Sequence, residues 1–190
     1  MAFHLVAIGG SWGGTRALGS ILEAIPEGFE LPLVVALHRG TSGGGMLEAA
    51  IARSSKLEVV AATDKEPLEP GRVYVAPADY HLLVEPGHLA LSTDEIVQFA
   101  RPSIDVLFES VAATYGPRAI GILLTGVNED GAAGLAHMAA AGGLTIAQDP
   151  ATAEQAEMPA AAVARGAARR VLPLEQIGPF LGGLRSGVAG

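Results

Sequence analysis

The chain has 190 residues, 49% of them hydrophobic and 17% charged, and carries 20 acidic against 12 basic side chains for a net charge of −8. That length fits one domain over 1–190 with a sizeable core, and the composition excludes intrinsic disorder and, with no basic run, a nucleic-acid partner. With no cysteine, disulfides and thiolate chemistry are excluded. The first apolar stretch is too short for a signal-peptide core or a membrane span, so a cytoplasmic protein not inserted in a membrane is expected.

Leu5 to Ile8 is an apolar run closed by Gly9-Gly10-Ser11-Trp12-Gly13-Gly14. Thr15, Leu18, Ile21, Leu22 and Ile25 then recur at helical spacing up to Pro26, which reads as strand, glycine turn and helix. Leu31 to Leu37 is a continuous apolar run of the kind buried on both faces of a parallel sheet, and it ends at His38-Arg39-Gly40. A glycine-rich loop and a helix from Met46 to Arg53 follow. Leu57 to Ala62 and Val73 to Ala76 read as strands, and Leu82 to Glu85 with Leu89 to Ser92 as a hairpin around Pro86-Gly87.

Arg101-Pro102-Ser103 opens the next helix, with Ser103 or the residue before it as cap and Ile104, Leu107, Phe108 and Val111 as the buried stripe. Ala119 to Leu124 is a further buried strand, ended by Thr125-Gly126-Val127-Asn128-Glu129-Asp130-Gly131. An alanine-rich helix to Gly142-Gly143, a strand over Leu144 to Ala147 and a helix from Thr152 to Ala164 come next. A short strand at Val171-Leu172 and a helix from Gln176 to Leu184 complete a core spanning about 5–184, before a flexible tail at 185–190. The alternation implies an α/β fold of three layers, a doubly wound and mainly parallel sheet flanked by helices, with a small antiparallel hairpin.

In such sheets ligands bind beyond the carboxyl ends of the strands, and three polar residues fall there: Ser11, His38 and Asp130. Gly9-Gly10-Ser11-Trp12-Gly13 satisfies the G-x-S-x-G pattern of a serine lifted on a strand-to-helix turn. A serine hydroxyl needs a base, for which His38 stands at the neighbouring strand end, and the imidazole needs an acceptor, which Asp130 supplies from a third. The backbone N–H of Trp12, at the positive end of the following helix, suits a developing oxyanion. Arg101 is a candidate clamp for a substrate carboxylate or carbonyl, although an arginine bonding loop carbonyls has the same sequence. Ser11 acting only as a helix cap is the plain alternative.

His4, His81, His88 and His137 read as surface or satisfied, partly buried residues. No spacing resembles a metal-ligand motif, so neither a metal nor a cofactor is expected. The glycine turn is not G-x-G-x-x-G in either register and lacks a P-loop lysine, so a dinucleotide site survives only in the form of Arg39 facing a 2′-phosphate.

Several blocks, in order, are similar to the catalytic domain of the CheB family of chemotaxis protein-glutamate methylesterases. They are Ile8-Gly9-Gly10-Ser11 with Gly13-Gly14-Thr15, His38, Val75-Ala76-Pro77-x-Asp79-x-His81, Arg101-Pro102-Ser103-Ile104-Asp105-Val106-Leu107-Phe108, and Leu123-Leu124-Thr125-Gly126 leading to Asp130-Gly131-Ala132-Ala133-Gly134. The resemblance places nucleophile, base and acid on Ser11, His38 and Asp130. It implies hydrolysis of γ-glutamyl methyl esters on the cytoplasmic domain of methylated chemoreceptors, with methanol released and, in some members, glutamine deamidated. Val127 stands at the position whose backbone N–H completes the oxyanion hole in the family, and Met158 is a candidate substrate-binding residue beside it, although Met158-Pro159 by itself reads as packing plus a helix adjustment. Three departures stand out: Trp12 replaces a small residue or threonine, Val127 a methionine and Glu157 a glycine. Typical members also carry an N-terminal phosphoacceptor receiver domain, so the expectation here is a stand-alone enzyme, open or controlled by a separate regulatory protein, or else a catalytic domain cut from a longer protein. A non-catalytic binding module on the same fold, or an esterase or amidase for another substrate, are the rival readings.

Overall fold

The apolar runs become nine strands and the helical periodicities six α-helices in the computed structural model, which describes residues 2–40 and 45–184. In chain order these are β1 (Leu5–Gly10), α1 (Gly14–Ala24), β2 (Leu33–Leu37), α2 (Met46–Ala52), β3 (Glu58–Ala61), β4 (Arg72–Val75), β5 (His81–Glu85) and β6 (His88–Ser92). There follow α3 (Ile104–Tyr115), β7 (Ala119–Leu123), α4 (Ala132–Ala140), β8 (Leu144–Gln148), α5 (Glu157–Ala164), β9 (Arg170–Leu172) and α6 (Leu174–Gly182). The tail expected at 185–190 lies outside the described residues.

Seven strands form one sheet in the order β3-β4-β2-β1-β7-β8-β9, and every pairing within it is parallel. The β5 and β6 strands make the separate antiparallel pair read from Pro86-Gly87. Each central strand is apolar on both sides because each side meets helices. Val6 and Ile8 of β1 pack with α1, α2 and α6, whereas Leu5 and Ala7 face α3, α4, α5 and the hairpin. This is the expected three-layer arrangement.

The α3 and α4 helices approach most closely at Gly134, where an added Cβ would lie 2.8 Å from Phe108 Cβ and 2.9 Å from Asp105 Cα. Only glycine fits that crossing, and it brings the N-terminal turns of both helices together above the ends of β1 and β7.

One element differs from expectation. The stretch from Thr152 to Ala164 is not a single helix: Pro150–Thr152 is a 3₁₀ turn and the α-helix begins at Glu157. Gln155 spends its backbone groups elsewhere, its N–H on Thr125 Oγ1 (2.8 Å) and its carbonyl on Gly126 N–H (3.1 Å). Pro159 therefore falls in the first turn of α5, where a missing N–H costs nothing.

Candidate active site

The register of the sheet sets the site. Gly10 of β1 pairs with Leu37 of β2, so Ser11 and His38 are the next residues on adjacent strands, and His38 N–H donates to Gly10 O at 3.1 Å. On the other side of β1, Gly9 pairs with Leu123, and Ser11 N–H donates to Thr125 O at 3.0 Å. The order of the sheet reverses at β1 and β7, so this is also the switch point of the fold.

Ser11 lies in the turn before α1. The N-cap of that helix is Gly13, in the left-handed region at φ 78°, and no side chain caps it. The reading of Ser11 as a mere helix cap therefore falls: its hydroxyl is left for another task, and only its carbonyl accepts, from Gly14 N–H at 2.8 Å. The far side of the turn is set by Gly126, where an added Cβ would lie 2.7 Å from both Ser11 Cβ and Met158 Sδ.

His38 and Asp130 meet at 2.7 Å, Nε2 to Oδ2, with the carboxylate wholly buried. Oδ2 also accepts from Ile104 N–H at 2.7 Å, while Oδ1 accepts from Ser103 Oγ–H at 2.9 Å and Asp105 N–H at 3.0 Å. The carboxylate thus sits on the positive N-terminus of α3. Burial alone would raise its pKa, but the His38 hydrogen bond, the Ile104 and Asp105 N–H groups and the nearby imidazole outweigh it and hold Asp130 below the ordinary aspartate value. An ionised carboxylate only accepts, so His38 must donate from Nε2, and the lone pair is on Nδ1. The ring is therefore used in the reverse sense to the familiar triad, in which Nδ1 faces the acid. Among the described residues no hydrogen bond joins Ser11 Oγ to His38, and such bonds are often completed only when substrate is bound.

The N–H groups of Trp12 and Val127 have no acceptor among the described residues, which leaves both open beside Ser11. The Trp12 indole is 63% exposed and donates from Nε1 to Glu154 Oε1 at 3.0 Å, with Arg16 on the other Glu154 oxygen at 3.3 Å. Val127 is exposed as well. Glu157, the third departure, is exposed in the first turn of α5.

Three expectations change. Met158 has no exposed surface and gives its N–H to Gly126 O at 3.1 Å, so it supports the Ser11 turn from beneath instead of touching a substrate. Arg101 borders the cleft next to His38, but its guanidinium is spent on Asp79 Oδ1 (2.6 Å) and on the carbonyls of Thr93 and Asp94 (2.9 Å each). It builds a wall, as the loop-carbonyl alternative had it, and does not clamp. Arg39 pairs with Glu48 at 2.7 Å and is nearly buried, which removes the 2′-phosphate reading.

Two groups in the site were not singled out from the sequence. Asp105 accepts from Gly131 N–H (2.9 Å) and Gly134 N–H (2.7 Å), so each helix of the α3–α4 pair holds the other's aspartate at its own N-terminus. Burial, with Asp130 nearby, pushes the Asp105 pKa up despite those two bonds. His81, read as at most partly buried, is only 1% exposed. Its Nδ1 accepts from Ser103 N–H at 3.2 Å and its Nε2 gives to Glu95 O at 2.9 Å. The first turn Ser103-Ile104-Asp105 carried the signal for Asp105, an acid one turn into a capped helix. His81 belongs to the block Val75-Ala76-Pro77-x-Asp79-x-His81, but nothing in that block signals its burial.

The fold is a doubly wound α/β sheet that brings a serine, a histidine and a buried aspartate to three adjacent strand ends, an arrangement that suits a hydrolase. The profile of the CheB methylesterase family matches residues 6–181. The chain belongs to that family. It is 41% identical over 178 residues to a provisionally named protein-glutamate methylesterase/protein-glutamine glutaminase of Leptospira interrogans, covering 93% of this chain and 92% of that one. It is 41% identical over 180 residues to the protein-glutamate methylesterase FrzG of Myxococcus xanthus, but spans 54% of that protein's length. The crystal structure of the Thermotoga maritima CheB methylesterase catalytic domain superposes with a TM-score of 0.91 at 32% identity, covering 95% of this chain and 98% of that one.

Proposed function

We propose that the chain is a serine hydrolase that removes methyl groups from γ-glutamyl methyl esters on the cytoplasmic domain of chemoreceptors, and that the same site deamidates glutamine. It acts in the cytoplasm as one catalytic unit, with Ser11, His38 and Asp130 as its triad. The observation that carries the reading is the His38–Asp130 pair on the N-terminus of α3, one strand from a serine that caps nothing. Family membership supplies the substrate class.

In the first half-reaction Ser11 Oγ attacks the ester carbonyl carbon while His38 Nδ1 takes the hydroxyl proton. The carbonyl oxygen becomes an oxyanion held by the N–H groups of Trp12 and Val127. Collapse breaks the bond to the methoxy oxygen, which leaves as methanol with the proton from Nδ1, and a glutamyl-serine ester remains. Water, deprotonated by Nδ1, attacks that ester and releases the glutamate carboxylate and free Ser11. A glutamine amide follows the same course with ammonia leaving. Asp130 stays ionised throughout and balances the imidazolium.

The test is release of radiolabelled methanol from methylated receptor membranes by the wild type and by Ser11→Ala. A drop of about 10⁶-fold is expected if the triad acts as a unit. Near-normal release by the variant rejects the mechanism.

A further inference from the structure

Eight large apolar side chains are exposed among the described residues, and four of them lie near Ser11 or His38. Trp12 and Val127 flank Ser11, while Ile96 and Phe99, 60% and 99% exposed, border the cleft that holds His38, with Asp79, Arg101 and Pro102. Phe99 places nearly its whole ring in water.

Its backbone makes that exposure harder to dismiss. Val97 and Ala100 bond to each other across a two-residue turn, N to O at 3.2 Å and 2.9 Å, and both central residues have positive φ, Gln98 at 47° and Phe99 at 63°. Turns of that form are ordinarily filled by Asn-Gly, because a side chain such as phenylalanine is strained there. Strain of this kind persists only where the surroundings impose it.

The surroundings do impose it. Gln98 Nε2 donates to Asp105 Oδ2 at 2.8 Å, His81 holds the carbonyl of Glu95, and Arg101 holds those of Thr93 and Asp94. The segment is tied on both sides to the same buried groups that position Asp130. A rigid loop that presents an apolar ring beside the catalytic histidine has the make-up of a binding hot spot. The two arginines lining this cleft are already paired, Arg101 with Asp79 and Arg39 with Glu48, so they offer little to an anionic partner.

We propose that Ile96 and Phe99 form an apolar subsite that receives a nonpolar side chain of the polypeptide substrate, next to the glutamyl ester bound at Ser11. The occupant is the substrate itself, because the patch is continuous with the cleft of His38. This inference rests on the methylesterase reading and sharpens it: the enzyme selects esters by the apolar character of the neighbouring chain.

The experiment compares kcat/KM for methanol release from methylated receptor membranes with kcat/KM for p-nitrophenyl acetate, which is too small to span the subsite. Phe99→Gly removes the ring and suits the positive φ, so its thermal midpoint should equal or exceed that of the wild type. The ratio of the two kcat/KM values should fall about tenfold in Phe99→Gly, mainly through KM for the receptor, and Phe99→Leu should restore most of it. An unchanged ratio overturns the subsite, and so does a change of oligomeric state in Phe99→Gly, which would make the patch a self-association surface. A wild type that cleaves p-nitrophenyl acetate but releases no methanol overturns the functional reading and the subsite with it.

Discussion

Asp130 joins the proposed catalysis to folding through one carboxylate. It accepts four hydrogen bonds, from His38, Ser103, Ile104 and Asp105, and three of those donors belong to the start of α3. Asp130→Asn keeps the size but has one acceptor oxygen in place of two and can orient its N–H₂ toward the ring. His38 would then carry its proton on Nδ1, where a lone pair is needed. The expected loss in turnover is about 10⁴-fold, read by methanol release, with the fold retained by circular dichroism. The positions of Ser11, His38 and Asp130 were legible because each follows an apolar run that ends in glycine or polar residues. Which ring nitrogen faces the acid was not legible, because it depends on how α3 lies across the strand ends. For Arg101 and Met158 the sequence left two readings each, and the loop-carbonyl and packing readings are the ones that hold: sequence places both residues near the site but says nothing of what their side chains already bond or lie beneath.

The pair α3–α4 is the element that fixes the triad's acid, and its joint is polar inside an apolar layer. Ser103 is wholly buried; its hydroxyl caps Val106 N–H at 3.4 Å and donates to Asp130. Ser103→Ala should cost about 1 kcal/mol as a lost cap, more if Asp130 is left short of a donor. In a chain of this size that corresponds to a fall of roughly 2–4 °C in melting temperature for each kcal/mol, measurable by thermal denaturation. No change would mean that water replaces the hydroxyl without loss. The helix stripe of Ile104, Leu107, Phe108 and Val111 was readable from its period, and the cap to within one residue, Ser103 being the one of the two that bonds Val106 N–H. The reciprocal hold of Asp105 on α4 was not, since it joins residues 26 and 29 apart in the chain. The same limit explains the false helical start at Thr152, where bonds from Gln155 to the β7 loop outweigh local propensity.

Across the whole molecule the two buried aspartates push stability in opposite directions as pH changes. Asp130 has its pKa lowered from the ordinary 3.8, so its contribution is present above that value and is lost as pH falls through the folded-state value. Asp105 has its pKa raised, so between 3.8 and its folded value the native state binds more protons than the unfolded chain, and its contribution shrinks as pH rises across that window. Urea unfolding at a series of acidic pH values should therefore show a flatter acid approach than Asp130 alone would give. Asp105→Asn should remove the declining component and leave a steeper rise with pH. If the two profiles coincide, Asp105 does not titrate in the way its burial implies. The layered sheet itself was legible from the apolar runs, whereas the order that places β4 between β2 and β3 depends on long-range pairing that no single segment encodes.

The only tryptophan of the chain follows Ser11, half out in solvent and tied by its indole N–H to Glu154. All indole emission therefore originates at the lip of the active site. Spectroscopically the molecule is labelled by nature at one point, and under the proposed mechanism substrate arrival, acyl-serine build-up and its decay should each change that emission in real time, without a dye or an engineered probe.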